Sequence, residues 1–264
     1  MNRFLKGLRS LDRVPEVFRC FRNVETPFAV TAAFVGFTPL AYPIDVRDRA
    51  GHTLRLYDFE DLTTLWAVWC ADEYRISKDA RVILDMGANI GAFCLFAMAH
   101  SPRARVIALE PFPSTFSKLK QVIAENGLAD RIHCEQAAIS ATSGHLRMQA
   151  DDSIKSHSRK AVADAAQDGA MIDVPSLSLA DLMDKYALAH VDYLKVDIEG
   201  GEIPLFADVD DTTLRKVARI GVECHSAQGQ QVVWARIKAA GFELERVSRV
   251  SFIGPASTAE FQRR

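Results

Sequence analysis

The stretch VILDMGANIG at residues 82–91 decides the fold class of this chain. It begins with apolar residues suited to a buried strand and continues into a turn that contains Gly87, Asn89 and Gly91. Glycine and, less often, asparagine tolerate positive φ angles, so such a turn lets the backbone approach a ligand closely. A helix-like segment at residues 92–100 follows. The stretch therefore predicts a strand, a ligand-binding turn and a helix in succession.

The alternation of short apolar runs with helix-like segments continues along the rest of the chain. Parallel strands that helices cover on both faces are almost continuously apolar, and the run at residues 105–109 has this character. The alternation predicts an α/β fold with a doubly wound, Rossmann-like, mostly parallel sheet. Further strands are predicted at residues 131–136, 191–196 and 218–224, and a terminal antiparallel pair at residues 242–247 and 250–253.

Two regions fall outside this alternation. Residues 1–78 form an N-terminal extension, which we expect to be a cap and a candidate region for binding a substrate or partner. The remaining residues, 79–264, form the main domain. Residues 151–173 contain few large apolar side chains, which indicates a flexible insertion in that domain. A tolerated insertion and a lid over a ligand site are both compatible with this composition.

Composition and charge exclude several classes of protein. The chain has 264 residues, of which 48% are hydrophobic, and a net charge of −2, values typical of a soluble globular protein and not of collagen or a disordered chain. The near balance of acidic and basic side chains argues against a DNA-binding protein. Residues 1–24 nevertheless carry six basic and two acidic side chains, which leaves a peripheral contact with an anionic partner or membrane open. The most apolar stretch, residues 28–44, is too short to span a bilayer.

Cysteine usage bears on the compartment. The five cysteines are scattered and show neither zinc nor redox spacing. This pattern is typical of reduced thiols, and we expect a cytoplasmic protein.

Acidic residues accompany the ends of two predicted strands. Asp85 precedes the glycine-containing turn, and Glu110, followed by Pro111, ends the next strand. A carboxylate at the second position can accept both ribose hydroxyls of a nucleotide. The helix N-terminus after the turn favours a carboxylate or phosphate. A nucleotide-type cofactor is therefore implied. The spacing of the turn differs from the dinucleotide fingerprint, which counts against the alternative of an NAD-dependent oxidoreductase.

A lysine interrupts a strand that should be central. An unpaired ammonium is costly to bury, so Lys195 needs a partner. Asp197 lies on the same side of the strand, and Glu223 lies near the end of the next predicted strand. A pair between Lys195 and either carboxylate can be purely structural. It can also serve a ligand, because open α/β sheets bind ligands at the carboxyl ends of their strands.

Several motifs together resemble the FkbM family of class I S-adenosylmethionine-dependent methyltransferases. The resemblance extends over about residues 80–225, and the element Lys-x-Asp-x-Glu-Gly-x-Glu within it is specific. It implies a seven-stranded sheet with an antiparallel last strand and methyl transfer to a hydroxyl oxygen, often of a sugar or a polyketide. The matching stretches are ILDMGANIG at 83–91, LEP at 109–111, NGL at 126–128, VDYLKVDIEGGE at 191–202 and VECH at 222–225.

The resemblance also implies S-adenosyl-L-methionine as the cofactor and a set of residues around it. The helix that contains Trp66 and Trp69 is similar to one that closes over the cofactor in the family, although core packing is the default reading of these two side chains. The implied cofactor-binding residues are Asp85, Gly87, Ala88, Asn89 and Gly91 in the turn, Glu110 and Pro111 at the second strand end, Gln136 and Ala137 after the third strand, and Tyr74 before the sheet.

Methyl transfer to a hydroxyl requires alignment, desolvation and a proton acceptor. Asp197 is the first candidate to orient or deprotonate the acceptor. His225 is the second, because an unperturbed pKa of about 6.5 suits a base near neutrality. Lys195 would hold or tune Asp197, and Glu199 completes the predicted catalytic group.

The same acidic strand end raises the question of a metal ion. Asp197, Glu199, Glu202 and His225 could bind Mg²⁺ or Ca²⁺. Glu202 is also a natural helix-capping residue and Asp197 a natural partner for Lys195, so no metal is expected.

The expected function is methylation of a hydroxyl of a small molecule or saccharide. One alternative is a binding module that has kept the fold and lost catalysis. Another is RNA methylation, which the basic N-terminal arm permits, although the chain lacks the Asn-Pro-Pro-aromatic element used on base amines. The acceptor and the oligomeric state are not predicted.

Overall fold

A seven-stranded sheet forms the centre of the computed structural model, which describes residues 13–149, 171–249 and 257–264. Several short elements precede it in the chain. They are α1 (Val14–Asn23), α2 (Pro27–Phe34), β1 (Ile44–Arg47), β2 (Thr53–Leu56) and α3 (Phe59–Leu65), followed by a π-helical turn at Trp66–Cys70.

The main alternation of strands and helices begins after this turn. Its first half contains β3 (Val82–Met86), α4 (Ala92–His100), β4 (Arg105–Leu109), α5 (Pro113–Glu125), β5 (Ile132–Glu135), β6 (Ala138–Ile139), β7 (Gly144–Gln149) and β8 (Met171–Leu177). Its second half contains α6 (Leu179–Lys185), β9 (Tyr193–Val196), α7 (Glu202–Asp208), α8 (Asp211–Arg215), β10 (Arg219–Cys224), α9 (Ala227–Ala239), β11 (Phe242–Arg249) and β12 (Ser257–Arg263).

The strand order of the main sheet is β11-β12-β10-β9-β3-β4-β5. The five strands from β10 to β5 are parallel, and β12 runs antiparallel to both of its neighbours. This arrangement confirms the predicted fold class, including the antiparallel last strand. In the sheet, β4 lies on one side of β3, and β9, which comes later in the chain, lies on the other side. The ends of β3 and β9 therefore flank the point where open α/β sheets bind ligands.

The strand β12 was not predicted. The terminal antiparallel pair was placed at residues 242–247 and 250–253; β11 matches its first member, and residues 250–253 lie outside the described residues. The strand that pairs with β11 is β12, whose buried Ser257, Thr258 and Glu260 conceal it from a search for apolar runs. Glu260 accepts hydrogen bonds from the Tyr193 hydroxyl and from the backbone N–H of Arg75, which compensates for its burial.

The two faces of the sheet contact different apolar clusters. Ile83 is in the same apolar cluster as residues of α4, α5 and the N-terminal elements. Leu84 and Met86, on the other face, are in the same cluster as residues of α6, α7 and α9. Trp66 and Trp69 are buried in the first cluster, as core packing predicted. The N-terminal extension therefore shares its core with one face of the sheet. Within the described ranges, none of the helices has the length and apolar character needed to cross a bilayer.

A second, three-stranded sheet lies beside the main one. In it β8 pairs parallel with β6 and antiparallel with β7. Of the predicted insertion at residues 151–173, only Met171–Asp173 are described, and they belong to β8. Residues 151–170 lie outside the described part of the chain.

Candidate active site

A cavity of about 580 Å³ lies at the carboxyl ends of the parallel strands. Gly87 after β3, Glu110 after β4, Asp197 after β9 and Glu223 in β10 all line it. Further walls come from the N-terminal extension and from the three-stranded sheet. Those walls include Thr63, Thr64, Ala67, Val68, Glu73, Tyr74, Leu146 and Met148.

The glycine-containing turn after β3 adopts the backbone that its residues predicted. Gly87, Asn89 and Gly91 have φ angles of +81°, +50° and +92°. A Cβ atom on Gly87 would lie 1.8 Å from the backbone oxygen of Asp197. Glycine is therefore required at this position by the close approach of the ends of β3 and β9, as well as by its φ angle.

Glu110 ties this turn to the end of β4. One carboxylate oxygen accepts a hydrogen bond from the Asn89 N–H at 3.0 Å, and the other accepts one from the Phe112 N–H at 3.1 Å. The side chain is buried and lines the cavity. Glu110 therefore presents a carboxylate whose position two backbone segments hold in place.

Lys195 lies at the junction of β3 and β9. Its ammonium lies 3.2 Å from the Asp85 carboxylate and 3.6 Å from the Asp197 carboxylate, and it donates a hydrogen bond of 2.6 Å to the backbone oxygen of Gly87. Burial acts to lower the pKa of Lys195, but the two carboxylates outweigh it and raise the pKa above its ordinary value. The lysine is therefore charged. Burial raises the pKa of Asp85, and the ammonium partly offsets that effect.

His225 lies among four carboxylates. Its Nε2 atom is 3.3 Å from Glu199, 3.6 Å from Glu223 and 3.9 Å from Asp197, and its Nδ1 atom is 3.5 Å from Glu202. Burial acts to lower the pKa of His225, but the carboxylates raise it to about 9. The ring is thus an imidazolium at neutral pH. The argument for His225 as a base, which used its unperturbed pKa, does not apply to this environment.

Two further acidic side chains face the cavity. Burial raises the pKa of Glu73 to about 7, although the Thr258 hydroxyl donates a hydrogen bond to its carboxylate. Burial, followed by the neighbouring charge of Asp197, raises the pKa of Glu223 well above its ordinary value. Glu73 was not among the predicted residues. No motif marks it, and it reaches the cavity only because the extension packs against the sheet.

Comparison with known proteins gives the family of the chain. A family model described as the methyltransferase FkbM domain matches residues 85–244, which is more than half of the sequence. The chain belongs to the FkbM methyltransferase family.

Individual FkbM-type relatives are distant in sequence. Methyltransferase sdnD of Sordaria araneosa is 27% identical over 192 residues, which cover 62% of this chain and 74% of the relative. The 31-O-demethyl-FK506 methyltransferase FkbM of Streptomyces tacrolimicus is 27% identical over 175 residues, with coverages of 56% and 66%. The solved structure of methyltransferase FkbM from Methylobacillus flagellatus KT has 13% identity and a TM-score of 0.54, covering 97% of this chain and 60% of the other. That structural likeness shows the fold.

Most of the site residues predicted for this FkbM-family chain line the cavity. Those that do are Tyr74, Gly87, Ala88, Asn89, Glu110, Pro111, Ala137, Lys195, Asp197 and Glu199.

Four predicted residues of the FkbM-family chain lie outside this lining, as far as the described residues define it. Asp85 is buried behind it and bonded to Lys195. Gly91 is the N-cap residue that precedes α4 and faces Leu119, and His225 adjoins Asp197. The Gln136 side chain is exposed, whereas Ala137 is buried and lines the cavity.

Proposed function

We propose that this FkbM-family protein transfers a methyl group from S-adenosyl-L-methionine to a hydroxyl oxygen of a small molecule or saccharide. The observation that carries the proposal is the convergence on one cavity of Glu110 and the Gly87 turn with the Asp197 carboxylate. Its volume of about 580 Å³ falls within the range of small-molecule sites. A cofactor and part of an acceptor can therefore meet there.

The residues around the cavity suit this cofactor. The turn at residues 87–91 would receive the amino-acid part, and Glu110 would accept hydrogen bonds from the ribose hydroxyls. A carboxylate has about four lone-pair sites, so its two backbone hydrogen bonds are compatible with that role. Pro111 and Ala137 would adjoin the nucleoside. When bound, the cofactor supplies an electrophilic methyl group on a cationic sulfur, and the acidic lining favours a cation.

Asp197 is the group proposed to act on the acceptor. Its carboxylate lines the cavity at the end of β9 and can orient the hydroxyl and receive its proton. Lys195 acts as a positioning residue, because its ammonium contacts both Asp197 and the backbone of Gly87. Glu199 is the next carboxylate along the chain that reaches the cavity, and His225 holds it at 3.3 Å.

The choice of oxygen as the acceptor atom has separate support. The Streptomyces relative is named as a methyltransferase of 31-O-demethyl-FK506. The chain spans 66% of that relative, so we do not infer the same acceptor molecule for this chain. No basic stripe lines the cavity among the described residues, which favours a small acceptor over RNA.

A screen of metabolites with a labelled methyl donor tests the proposal. We expect a hydroxyl-bearing compound to gain one CH₂ unit by mass spectrometry. Asp197→Asn should abolish this turnover and leave the affinity for S-adenosylhomocysteine within a few-fold of the wild type. The exposed substitution Asp79→Asn serves as the control and should change neither. Labelling of an amine or an RNA in place of a hydroxyl would contradict the proposal, as would unchanged turnover in the Asp197 variant.

A further inference from the structure

We propose that Asp197, Glu223 and His225 form a binding site for one divalent cation of the Mg²⁺ and Mn²⁺ class. One ligand atom from each residue lies within 4.8 Å of the other two. The His225 Nε2 atom is 3.6 Å from Glu223 and 3.9 Å from Asp197. Ligands placed about 2.1 Å from an octahedral cation are about 3 Å apart when adjacent and about 4 Å apart when opposite. The three side chains are therefore close to a coordinating arrangement.

The two carboxylates in this group lack ordinary hydrogen-bonding partners. Among the described residues, no donor forms a hydrogen bond to the side chain of Asp197 or Glu223; their polar contacts are ion pairs of 3.6 Å or longer. The Lys195 ammonium lies closer to Asp85 and donates to the backbone of Gly87. Glu223 is the more enclosed of the two, with a side chain that is 13% exposed against 28% for Asp197. A carboxylate largely withdrawn from water without hydrogen bonds is normally paired or bound to a metal.

More carboxylates than cations surround His225. Four carboxylates lie within 3.9 Å of its ring nitrogens, and the one other ammonium that contacts them among the described residues, that of Lys195 at 3.6 Å from Asp197, is shared with Asp85. Glu202 is occupied in another way, because it accepts hydrogen bonds from the backbone N–H groups of Ile198 and Gly200 at the start of α7. Glu199 also faces the cavity, but it is not in the group whose ligand atoms lie within 4.8 Å of one another, so Asp197 and Glu223 are the carboxylates that remain for a cation.

A second observation in the same cavity points to a ligand. The Tyr74 side chain is 1% exposed, lines the cavity, and its hydroxyl has no hydrogen-bond partner among the described residues. The carboxylate of Glu73, followed by those of Asp197 and Glu223, is near enough to act on this hydroxyl electrostatically. A hard cation such as Mg²⁺ keeps several of its waters. One of those waters would give the buried hydroxyl the partner that the protein does not provide.

The donor atoms indicate the class of cation. Two carboxylates and one imidazole, with no thiolate in the set, favour a hard or borderline divalent ion over a soft one. His225 can coordinate only as the neutral imidazole, so the bound cation displaces to solvent the ring proton that the carboxylates hold in its absence. The functional consequence rests on the proposed function. A cation here would coordinate the acceptor hydroxyl and lower its pKa, and Asp197 would then orient the acceptor through the cation instead of by a direct hydrogen bond.

Titration of Mn²⁺ into the full chain after removal of metals with EDTA tests the site. Electron paramagnetic resonance of the free ion measures binding. We expect one bound Mn²⁺ per chain, with affinity lowered at least about tenfold by Asp197→Asn and by Glu223→Gln. Asp173→Asn is the matched control, because its exposed carboxylate also pairs with a histidine, His145, at 3.0 Å, and it should bind Mn²⁺ like the wild type. Circular dichroism unfolding curves verify that each variant is folded.

The site is contradicted if the wild type binds no Mn²⁺, or if both site variants bind it as the Asp173 variant does. In that case the His225 imidazolium is the counter-ion of the cluster. A parallel titration with S-adenosylhomocysteine separates this result from the proposed function. If the wild type binds S-adenosylhomocysteine but not Mn²⁺, only the proposal of a cation site is refuted. If it binds Mn²⁺ but not S-adenosylhomocysteine, the methyltransferase proposal is refuted and the cation site stands.

Discussion

The ammonium of Lys195 lies 3.2 Å from the carboxylate of Asp85, its direct neighbour in the parallel register of β3 and β9. Both side chains are almost completely withdrawn from solvent, and the same ammonium also reaches the backbone of Gly87. This pair therefore joins the two central strands at the point where the cavity begins. The same ammonium also lies 3.6 Å from the carboxylate of Asp197.

Removing one member of this pair should be strongly destabilising. Lys195→Met leaves the Asp85 carboxylate buried without its cation, and we expect the free energy of unfolding to fall by about 3–5 kcal/mol. The double variant Asp85→Asn with Lys195→Met removes both charges and should recover much of this loss. Urea unfolding at neutral pH measures both effects. A double variant whose loss equals the sum of the two single losses would show that the groups do not act as a pair.

Gly87→Ala should damage both stability and cofactor binding. The added Cβ would lie 1.8 Å from the backbone oxygen of Asp197, so the ends of β3 and β9 must separate. Gly127→Ala is the matched control, because Gly127 also has a positive φ angle but no atom within 4 Å of the added Cβ. The control should lose only about 1–2 kcal/mol of stability. The affinity of the Gly127→Ala control for S-adenosylhomocysteine should be unchanged, whereas Gly87→Ala should lower that affinity at least about tenfold. Equal effects of the two substitutions would refute the close approach of β3 and β9 as the cause.

Glu73 predicts a specific dependence of stability on pH. Its pKa is about 7 in the folded chain and 4.5 for an ordinary glutamate, so the folded state holds the proton more tightly. Wild-type stability should therefore fall relative to Glu73→Gln as pH rises from about 4.5 through 7. A pKa difference of this size corresponds to about 3 kcal/mol above pH 7.

The measurement for Glu73 compares the two unfolding curves in EDTA at pH 4.5 and pH 8.5. The difference between variant and wild type isolates Glu73 from other titrating groups. If the difference in free energy of unfolding between the variant and the wild type is the same at both pH values, Glu73 is not protonated preferentially in the folded chain.

Local chemistry made part of this structure predictable. The positive φ angles of Gly87, Asn89 and Gly91 follow from residue type, and the apolar runs of β3 and β4 follow from burial on both faces. The contact between Lys195 and Asp197 follows from strand alternation. These features depend on residues that are close together in the chain.

Features that depend on distant residues were not predictable in the same way. The carboxylate nearest to the Lys195 ammonium is that of Asp85, and only the register of two strands 110 residues apart determines that pairing. Glu73 enters the cavity through the packing of the N-terminal extension. The raised pKa of His225 arises from Glu202, Asp197 and Glu199, which lie on one segment more than 20 residues before it, and a pKa taken from the residue type alone does not include them.

The proposed function requires that the cavity bind the methyl donor through Glu110. Isothermal titration with S-adenosylhomocysteine tests this binding, using the wild type, Glu110→Ala and the exposed control Asp79→Ala. We expect binding by the wild type and by the control, with affinity lowered at least about tenfold in Glu110→Ala, the loss expected for hydrogen bonds to a charged group. Absence of binding by the wild type, or undiminished binding by Glu110→Ala, would contradict it.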